Sequence, residues 1–366
     1  MSRAWVLLAL LPLSGCVRPA EGRALKDLEI GRASGGGLSV TVEDGLAAVR
    51  GVESGALTLW GNAPAFRMRT TTAADAPEWW TLVVRNAMPD AELKAEAGSD
   101  GEALEVEDGP SLVPTVKTWR VRLRPGSEAR LTVAPPDWDT PRPFRFAALA
   151  DVQEALPRVG DIYARMNQDP SLRFIFFSGD LTEQGSREQL EEFQTRLEAS
   201  RVPLYATLGN HETFTLDVPY HQFVGRGSQH FVFQGVRFTM LDTGNGTVDP
   251  VVEEQFDGWL EASRNAVHVV GMHIAPMDPI GVRNGSFSSR NEAAALVGKM
   301  ARAGVDLTLY GHVHSYYAFS NAGIPAYISG GGGSIPETFD GVGRHYLTVD
   351  VDPAAGVQEV AVVRVD

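Results

Sequence analysis

Apolar positions change their spacing several times along this chain, and each change marks a different kind of segment. Residues 6–13 form one short apolar run. Residues 17–37 are small, polar and Gly-rich, ending in Ser34-Gly35-Gly36-Gly37, and read as a flexible tether with little capacity to pack. From 38 to 134 apolar and polar residues alternate in short runs. Trp119, Val121 and Leu123 would face one side of a strand while Arg120, Arg122 and Arg124 face the other. Similar runs at 56–60 and 80–84 are separated by turn signals such as Asp44-Gly45, Asp108-Gly109-Pro110 and Pro125-Gly126. No helical period is present, which predicts a small all-β, antiparallel sandwich-like domain. Trp60, Trp79, Trp80 and Trp119 are expected as core or interface aromatics, and the stretch carries no histidine. Pro135, Pro136, Pro141 and Pro143 make 135–143 a stiff linker.

Beyond 144 the rhythm becomes continuous apolar runs separated by helical segments. Strands are predicted at 144–150, 174–178, 203–208, 266–272 and 305–310, and helices at about 156–167, 186–200, 251–263 and 291–303. Ser186 is a plausible N-cap, and Leu190, Phe193 and Leu197 share one helical face. Hairpins are expected around Gln234-Gly235 and between 346–351 and 358–365. A further strand at 325–329 runs into Gly330-Gly331-Gly332-Gly333. The alternation predicts an α/β layered domain over 144–366. Phe174-Ile175-Phe176-Phe177 leads into Ser178-Gly179-Asp180. That is a buried strand with a tight turn, leaving Asp180 at its carboxyl end, where open α/β sheets place their chemistry.

Composition adds three constraints. The chain has 366 residues, enough for two domains and a large core. A net charge of -14 argues against a nucleic-acid polymer as partner, because phosphate backbones are held by clustered Lys and Arg, but it leaves open a small phosphorylated substrate bound through metal ions. Cys16 is the only cysteine, so no intrachain disulfide can form. The apolar run at 6–13 is too short to span a bilayer. Residues 1–16 instead resemble a bacterial lipoprotein signal with Leu13-Ser14-Gly15-Cys16 as its lipobox. The resemblance implies cleavage before Cys16 and lipidation of that thiol. Val17 resembles the outer-membrane sorting pattern, so the expected location is extracytoplasmic and lipid-anchored, facing the periplasm or cell surface.

The predicted strand exits supply Asp151, Gln153, Asp180, Asn210, His211, His273, His312 and His314. This set combines carboxylate, amide oxygen and imidazole without a thiolate. It suits divalent Mn, Fe, Zn, Ni or Co, and it is too large for one tetrahedral site. Two ions about 3.5–4 Å apart are the recurrent device for hydrolysing phosphate esters, with a nearby His as proton donor.

Asp-X-Gln, Gly-Asp, Gly-Asn-His-Glu, a single His after a strand, and Gly-His-X-His stand in the order found in calcineurin-like metallophosphoesterases. The resemblance covers about 144–351, and the Gly-rich run with the preceding β domain also looks like purple acid phosphatase relatives. It implies a β-sandwich flanked by helices and a dinuclear divalent metal site with a metal-bound hydroxide nucleophile. By resemblance, Asp180 bridges both ions, Asp151, Gln153 and His314 complete the first site, and Asn210, His273 and His312 complete the second. His211 would touch the phosphate and protonate the leaving group, with Glu212 orienting it. The common pattern has His where this chain has Gln153, which implies a weakened or re-selected first ion. The Tyr of iron(III) centres is absent, since Leu181-Thr182-Glu183-Gln184 follows Asp180. Phosphomonoester, phosphodiester and nucleotide diphosphate substrates all remain open, as does a non-catalytic binding protein that kept the fold. His221, His230, His268 and His345 are expected in ordinary structural roles. Arg283, Asn284 and Arg290 lie in a loop that could reach substrate, and Tyr316 and Tyr317 either line the pocket or pack.

Overall fold

The computed structural model describes residues 19–98, 101–215, 217–282 and 284–365. The expected signal segment with Cys16, and Arg283, lie outside the described residues.

The alternating region folds into two five-stranded sheets. One runs, in spatial order, Arg32–Gly35, Leu38–Val42, Phe66–Thr72, Glu128–Ala134 and Glu92–Ala97. The other runs Ala47–Glu53, Ala56–Gly61, Trp79–Arg85, Val116–Arg122 and Val106–Asp108. Phe66–Thr72 alternates buried and exposed along its whole length, as a strand with one solvated face must. One expectation needs correcting: Ala56–Gly61 and Trp79–Arg85 pair in parallel. The chain between them crosses to the other sheet through Phe66–Thr72, so it returns in the same direction.

The expected tether at 17–37 is ordered from residue 19 onward. Pro19–Asp27 is a helix, and Arg32–Gly35 pairs antiparallel with Leu38–Val42. The glycines that suggested flexibility form the turn of that hairpin, Gly36 at φ 55° and Gly37 at φ 86°. The helix is held by buried polar contacts that its composition does not advertise. Arg23 Nε meets Asp242 Oδ2 at 2.7 Å, and Asp27 accepts the backbone N–H groups of Gly227 and Ser228, each at 2.8 Å.

Residues 144–365 form four layers. One sheet has the order Leu204–Ala206, Leu172–Phe177, Phe144–Leu149, His345–Asp352, Gly356–Arg364; the other has Gln229–Phe233, Val236–Leu241, His268–Met272, Leu307–Tyr310, Ile324–Ser329, Tyr316–Asn321. Phe146, Phe174 and Phe176 of the first meet Phe238 of the second between the sheets. The helices Gly160–Met166 and Arg187–Leu197 cover the first sheet's outer face, and Pro250–Ala262 and Arg290–Ala303 cover the second's. The helix expected at 156–167 is split, because Pro157 lies in a 3-10 turn, Gln153–Arg158, that precedes Gly160–Met166.

The β region is bolted to the layered region at one edge strand. Asn62 and Asn86 each use both amide atoms on its backbone: Asn62 accepts from Ala206 N at 2.9 Å and donates to Ala206 O, and Asn86 does the same at Leu204. These side chains pair the open edge as a further strand would. Trp60 is buried in the same cluster as Leu149 and Phe177.

Candidate metal centre

All five predicted exits open at the same end of the molecule. Asp151 follows Phe144–Leu149, Asp180 follows Leu172–Phe177, and Asn210 with His211 follows Leu204–Ala206. These belong to one sheet. His273, directly after His268–Met272, and His312 and His314, after Leu307–Tyr310, belong to the other. The centre is therefore a seam between sheets. Its backbone is strained: Asp151, Gln153, Asp180 and His312 have φ of 61°, 44°, 60° and 69°. Such conformations persist only where surrounding contacts enforce them, and they cluster at functional sites. Gly209 must be glycine, since a Cβ there would stand 2.0 Å from Asp180 Oδ1.

Asp180 is fully buried and lies at the middle of the set. Its Oδ2 is 3.2 Å from His273 Nε2, and its Oδ1 accepts the His211 backbone N–H at 3.0 Å. Among the described residues, Asp180, His273 and His312 place their ligand atoms within 4.8 Å of one another. Asn210 Oδ1 lies 2.9 Å from His273 Nε2, which adds a fourth donor. This half of the site fits a divalent cation by chemistry and spacing. Each imidazole is aimed by a backbone carbonyl: His273 Nδ1 by Ser178 O at 2.9 Å, and His312 Nε2 by Asn284 O at 2.9 Å.

The other half gathers Asp151, Gln153 and His314 around the opposite side of Asp180. Both Asp151 oxygens accept the His312 backbone N–H, and His314 Nε2 stands 3.5 Å from Asp151 Oδ1. Gln153 turns its Nε2 inward, 2.6 Å from Asp180 Oδ2 and 3.3 Å from His314 Nε2, while Oε1 accepts from Ser334 Oγ at 2.6 Å. A half-turn of the amide exchanges these partners, because Ser334 Oγ can also accept. Gln153 thus offers a metal its oxygen only by giving up the inward hydrogen bond. Asp151, Asp180 and His314 fit a cation, and Gln153 makes that position the weaker one.

The protonation pattern follows from this crowding. Burial lowers the affinity of His273 and His314 for a proton, yet the carboxylates of Asp180 and Asp151 outweigh it and hold each ring at about 9. Burial would raise Asp180, but the neighbouring imidazoles push it well below the usual carboxylate range. Positive charge is what this end of the molecule collects.

Glu212 needs a correction. It does not touch the His211 ring. Its buried carboxylate accepts the backbone N–H groups of Asp180 at 3.0 Å, Thr182 at 3.0 Å and Gly209 at 2.8 Å, and so clamps the two metal-bearing turns together. Burial, with the Asp180 charge, raises it to about 7. His211 is oriented instead by Glu183 O, 2.6 Å from Nδ1, which leaves Nε2 facing the centre. Sequence reasoning missed this carbonyl, those of Ser178, Asn284 and Ile335, and the Ser334 hydroxyl. Every residue has a carbonyl, so none announces itself. The Gly-rich run was the one available signal for Ser334. A Cβ on Gly332 would stand 2.4 Å from Ala150 O, so only glycine lets this strand exit pass beneath Asp151.

The remaining candidates separate cleanly. His221 pairs with Asp27, His230 and His268 share the Thr239 hydroxyl, and His345 bonds to Gly343 O, all in packed surroundings. Tyr316 stacks on Tyr327, and Tyr317 meets Phe339 edge-on. Asn284 and Arg290 border a cavity of about 480 Å³ that reaches Asn210 and His312 and is lined also by Asn245 and Ser286.

Comparison with known proteins follows this geometry. A family model described as calcineurin-like phosphoesterase matches residues 144–316. No curated protein matches the sequence. Similar solved structures include GAP50, the anchor in the inner membrane complex of Plasmodium, at 15% identity, covering 62% of this chain and 90% of that one with a TM-score of 0.44. PhoD, at 12% identity, covers 82% and 87% with a TM-score of 0.47, and a phosphatase from Mycoplasma pneumoniae, at 13%, covers 62% and 94% with a TM-score of 0.40. Residues 144–316 thus match the calcineurin-like phosphoesterases, and the reading of this region as a metallophosphoesterase hydrolase domain rests on that match and on the metal-ligand types gathered around Asp180.

Proposed function

We propose that this protein hydrolyses phosphate esters at a dinuclear centre held by Asp151, Gln153, Asp180, Asn210, His273, His312 and His314. The observation that carries the reading is the meeting of carboxylates from one sheet and imidazoles from the other around Asp180. Two divalent ions bound there would neutralise the phosphate and lower the pKa of a bound water. The residues then divide the remaining work. Asp180 faces both halves of the set. Asn210, His273 and His312 would hold one ion, and Asp151, His314 and Gln153 the other, more weakly because the Gln153 amide turns its nitrogen inward. A water oxygen forms the new bond to phosphorus as the ester P–O bond breaks, and the departing oxygen takes its proton from His211 Nε2. The Nδ1 bond to Glu183 O keeps that nitrogen pointed inward.

Hydrolysis of p-nitrophenyl phosphate and bis-p-nitrophenyl phosphate tests this, with the protein metal-stripped and then given Mn, Zn, Fe, Ni or Co. Metal-dependent turnover is expected, and the better ester separates monoesters from diesters. No turnover with any ion would overturn it. The inward amide of Gln153 favours one second reading, a binding protein whose first position is closed. Silence in the parent with turnover in Gln153→His would select that reading.

We also propose, from Leu13-Ser14-Gly15-Cys16 followed by Val17, that Cys16 is acylated and holds the protein outside the cytoplasm. Among the described residues no helix is long and apolar enough to cross a membrane. Loss of the membrane-associated fraction in Cys16→Ser is the expected result; unchanged fractionation would count against the anchor.

A further inference from the structure

Large apolar side chains are left exposed at few places among the described residues, and all but Leu112 fall in two groups. The first group lies in loops that follow Leu204–Ala206, His268–Met272 and Ile324–Ser329, at the end of the sheets where the metal centre stands. Phe214 is 61% exposed with its ring 4.8 Å from that of His211, and Ile335 is 74% exposed while its carbonyl holds His314 Nδ1 at 2.7 Å. Met277, 40% exposed, lies four residues after His273, and Phe339, 47% exposed, leans on Tyr317 just beyond His314. The second group, Leu25 and Leu28, is on and just after the N-terminal helix. That helix is tied to the cavity wall: Arg23 Nη2 donates to Asn245 Oδ1 at 2.7 Å, and Asn245 lines the polar cavity beside Asn210 and His312.

Exposed apolar side chains carried by several loops at one end of a molecule mark a surface that meets something apolar. The chain itself says what. Cys16 stands three residues before Pro19, a reach of at most about 11 Å, and Pro19 is one helical turn, about 6 Å, before Arg23. An acyl group on Cys16 would enter the membrane close to the cavity wall. The net charge of -14 opposes capture by an anionic lipid surface, so apolar contact has to hold this face there.

We propose that Phe214, Met277, Ile335 and Phe339 form an interfacial rim that seats the metal centre on a bilayer, and that the substrate is a phosphate ester carried by a lipid. The head group would enter the polar cavity, where Arg290, Ser286 and Asn245 offer hydrogen bonds, while the chains stay among the rim residues. This rests on the phosphoesterase reading and on the anchor above. The reaction is the same hydrolysis: water adds to phosphorus, the ester P–O bond breaks, and the alcohol leaves protonated.

The test uses the full-length protein with its supporting metal ion and two matched substrate pairs. The diester pair is methyl and dodecyl p-nitrophenyl phosphate. The monoester pair is glycerol 1-phosphate and dioleoyl phosphatidic acid. The long-chain members are presented in phosphatidylcholine vesicles. The expected result is a kcat/KM at least about tenfold higher for the long-chain member of whichever pair is turned over. The preference should persist in Cys16→Ser and shrink to about threefold or less in a Met277→Ser, Phe339→Ser double variant. Equal or slower turnover of the long-chain ester by the parent protein overturns the proposal and leaves phosphoester hydrolysis standing. So does a preference lost in Cys16→Ser but kept in the rim variant, because the anchor alone would then explain it. Absence of turnover on all four esters with every ion fails earlier, at the reaction itself, and takes this proposal with it. If the double variant does not fold, the single variants Met277→Ser and Phe339→Ser are read in its place, and a long-chain preference undiminished in both overturns the proposal.

Discussion

His211 and His268 show how two imidazoles in one domain come to opposite uses. His211 is one-fifth exposed at the mouth, with Nδ1 committed to Glu183 O and Nε2 free to give a proton. Its worth should depend on how much the leaving oxygen needs that proton. His211→Ala is expected to lower kcat by about 10²–10⁴-fold on an alkyl phosphate ester. On p-nitrophenyl esters, whose leaving group departs unprotonated, the loss should be several-fold smaller; equal losses on both would remove the acid role. His268 is 2% exposed and bonded to the Thr239 hydroxyl at 2.8 Å, with Asp306 accepting its backbone N–H. Burial, reinforced by His230 and Arg237, pushes it down to about 3 from 6.5. Its stabilising effect is full above pH 6.5, where both states are neutral. Below that the unfolded chain takes a proton the folded one refuses, so stability falls as pH drops toward 3. Between pH 7 and 5 this group should account for about 2 kcal/mol. Urea unfolding at the two pH values should show that loss in the parent and a shallower slope in His268→Gln.

At the scale of elements, the N-terminal helix is a structural part of the phosphoesterase domain. Arg23 and Asp242 are 4% and 7% exposed, a buried ion pair completed by Asn245. Breaking such a pair strands a charge, which typically costs about 3–5 kcal/mol. Arg23→Ala should therefore lower the unfolding free energy measured in urea by that amount. It should also raise KM, because Asn245 on the cavity wall loses its partner. A stability loss under about 1 kcal/mol would mean that water reaches Asp242. The Asn62 and Asn86 contacts make a related point at the edge strand Leu204–Ala206 of the other sheet. The β region covers an edge strand that would otherwise expose unpaired backbone groups.

For the molecule as a whole, the metal centre doubles as a cross-link. One sheet brings Asp151, Asp180 and Asn210 and the other brings His273, His312 and His314, so an ion bound among them ties the layers together. A ligand that binds only the folded state stabilises it by about 2.7 kcal/mol at a concentration 100 times its Kd. Chelation is thus expected to lower Tm by about 5 °C or more, and the ion that supports turnover should restore it in a calorimetric scan. An unchanged Tm with full loss of activity would mean that the ions bind too weakly to brace the sheets.

Much of this was legible before any coordinates. Continuous apolar runs ending on Asp, Asn and His have few ways to fold, because a strand buried on both faces can expose polar side chains only at its ends. That logic delivered the layered α/β domain and the eight residues at its strand exits, alternation delivered the all-β region, the family resemblance assigned seven of the eight as ligands, and the structure brings them to one seam. What it could not deliver were properties of contact. Residues 19–37 look like a tether because Gly and polar residues dominate them, yet Arg23 and Asp27 find buried partners about two hundred residues away. Glu212 sits beside His211 in sequence, but the turn sends its carboxylate to three backbone N–H groups. The orientation of Gln153 depends on Ser334, which a run of glycines carries in from a distant strand. Residue type and spacing decide which chemistry is available; which atom faces which is decided only when strands remote in sequence are packed side by side.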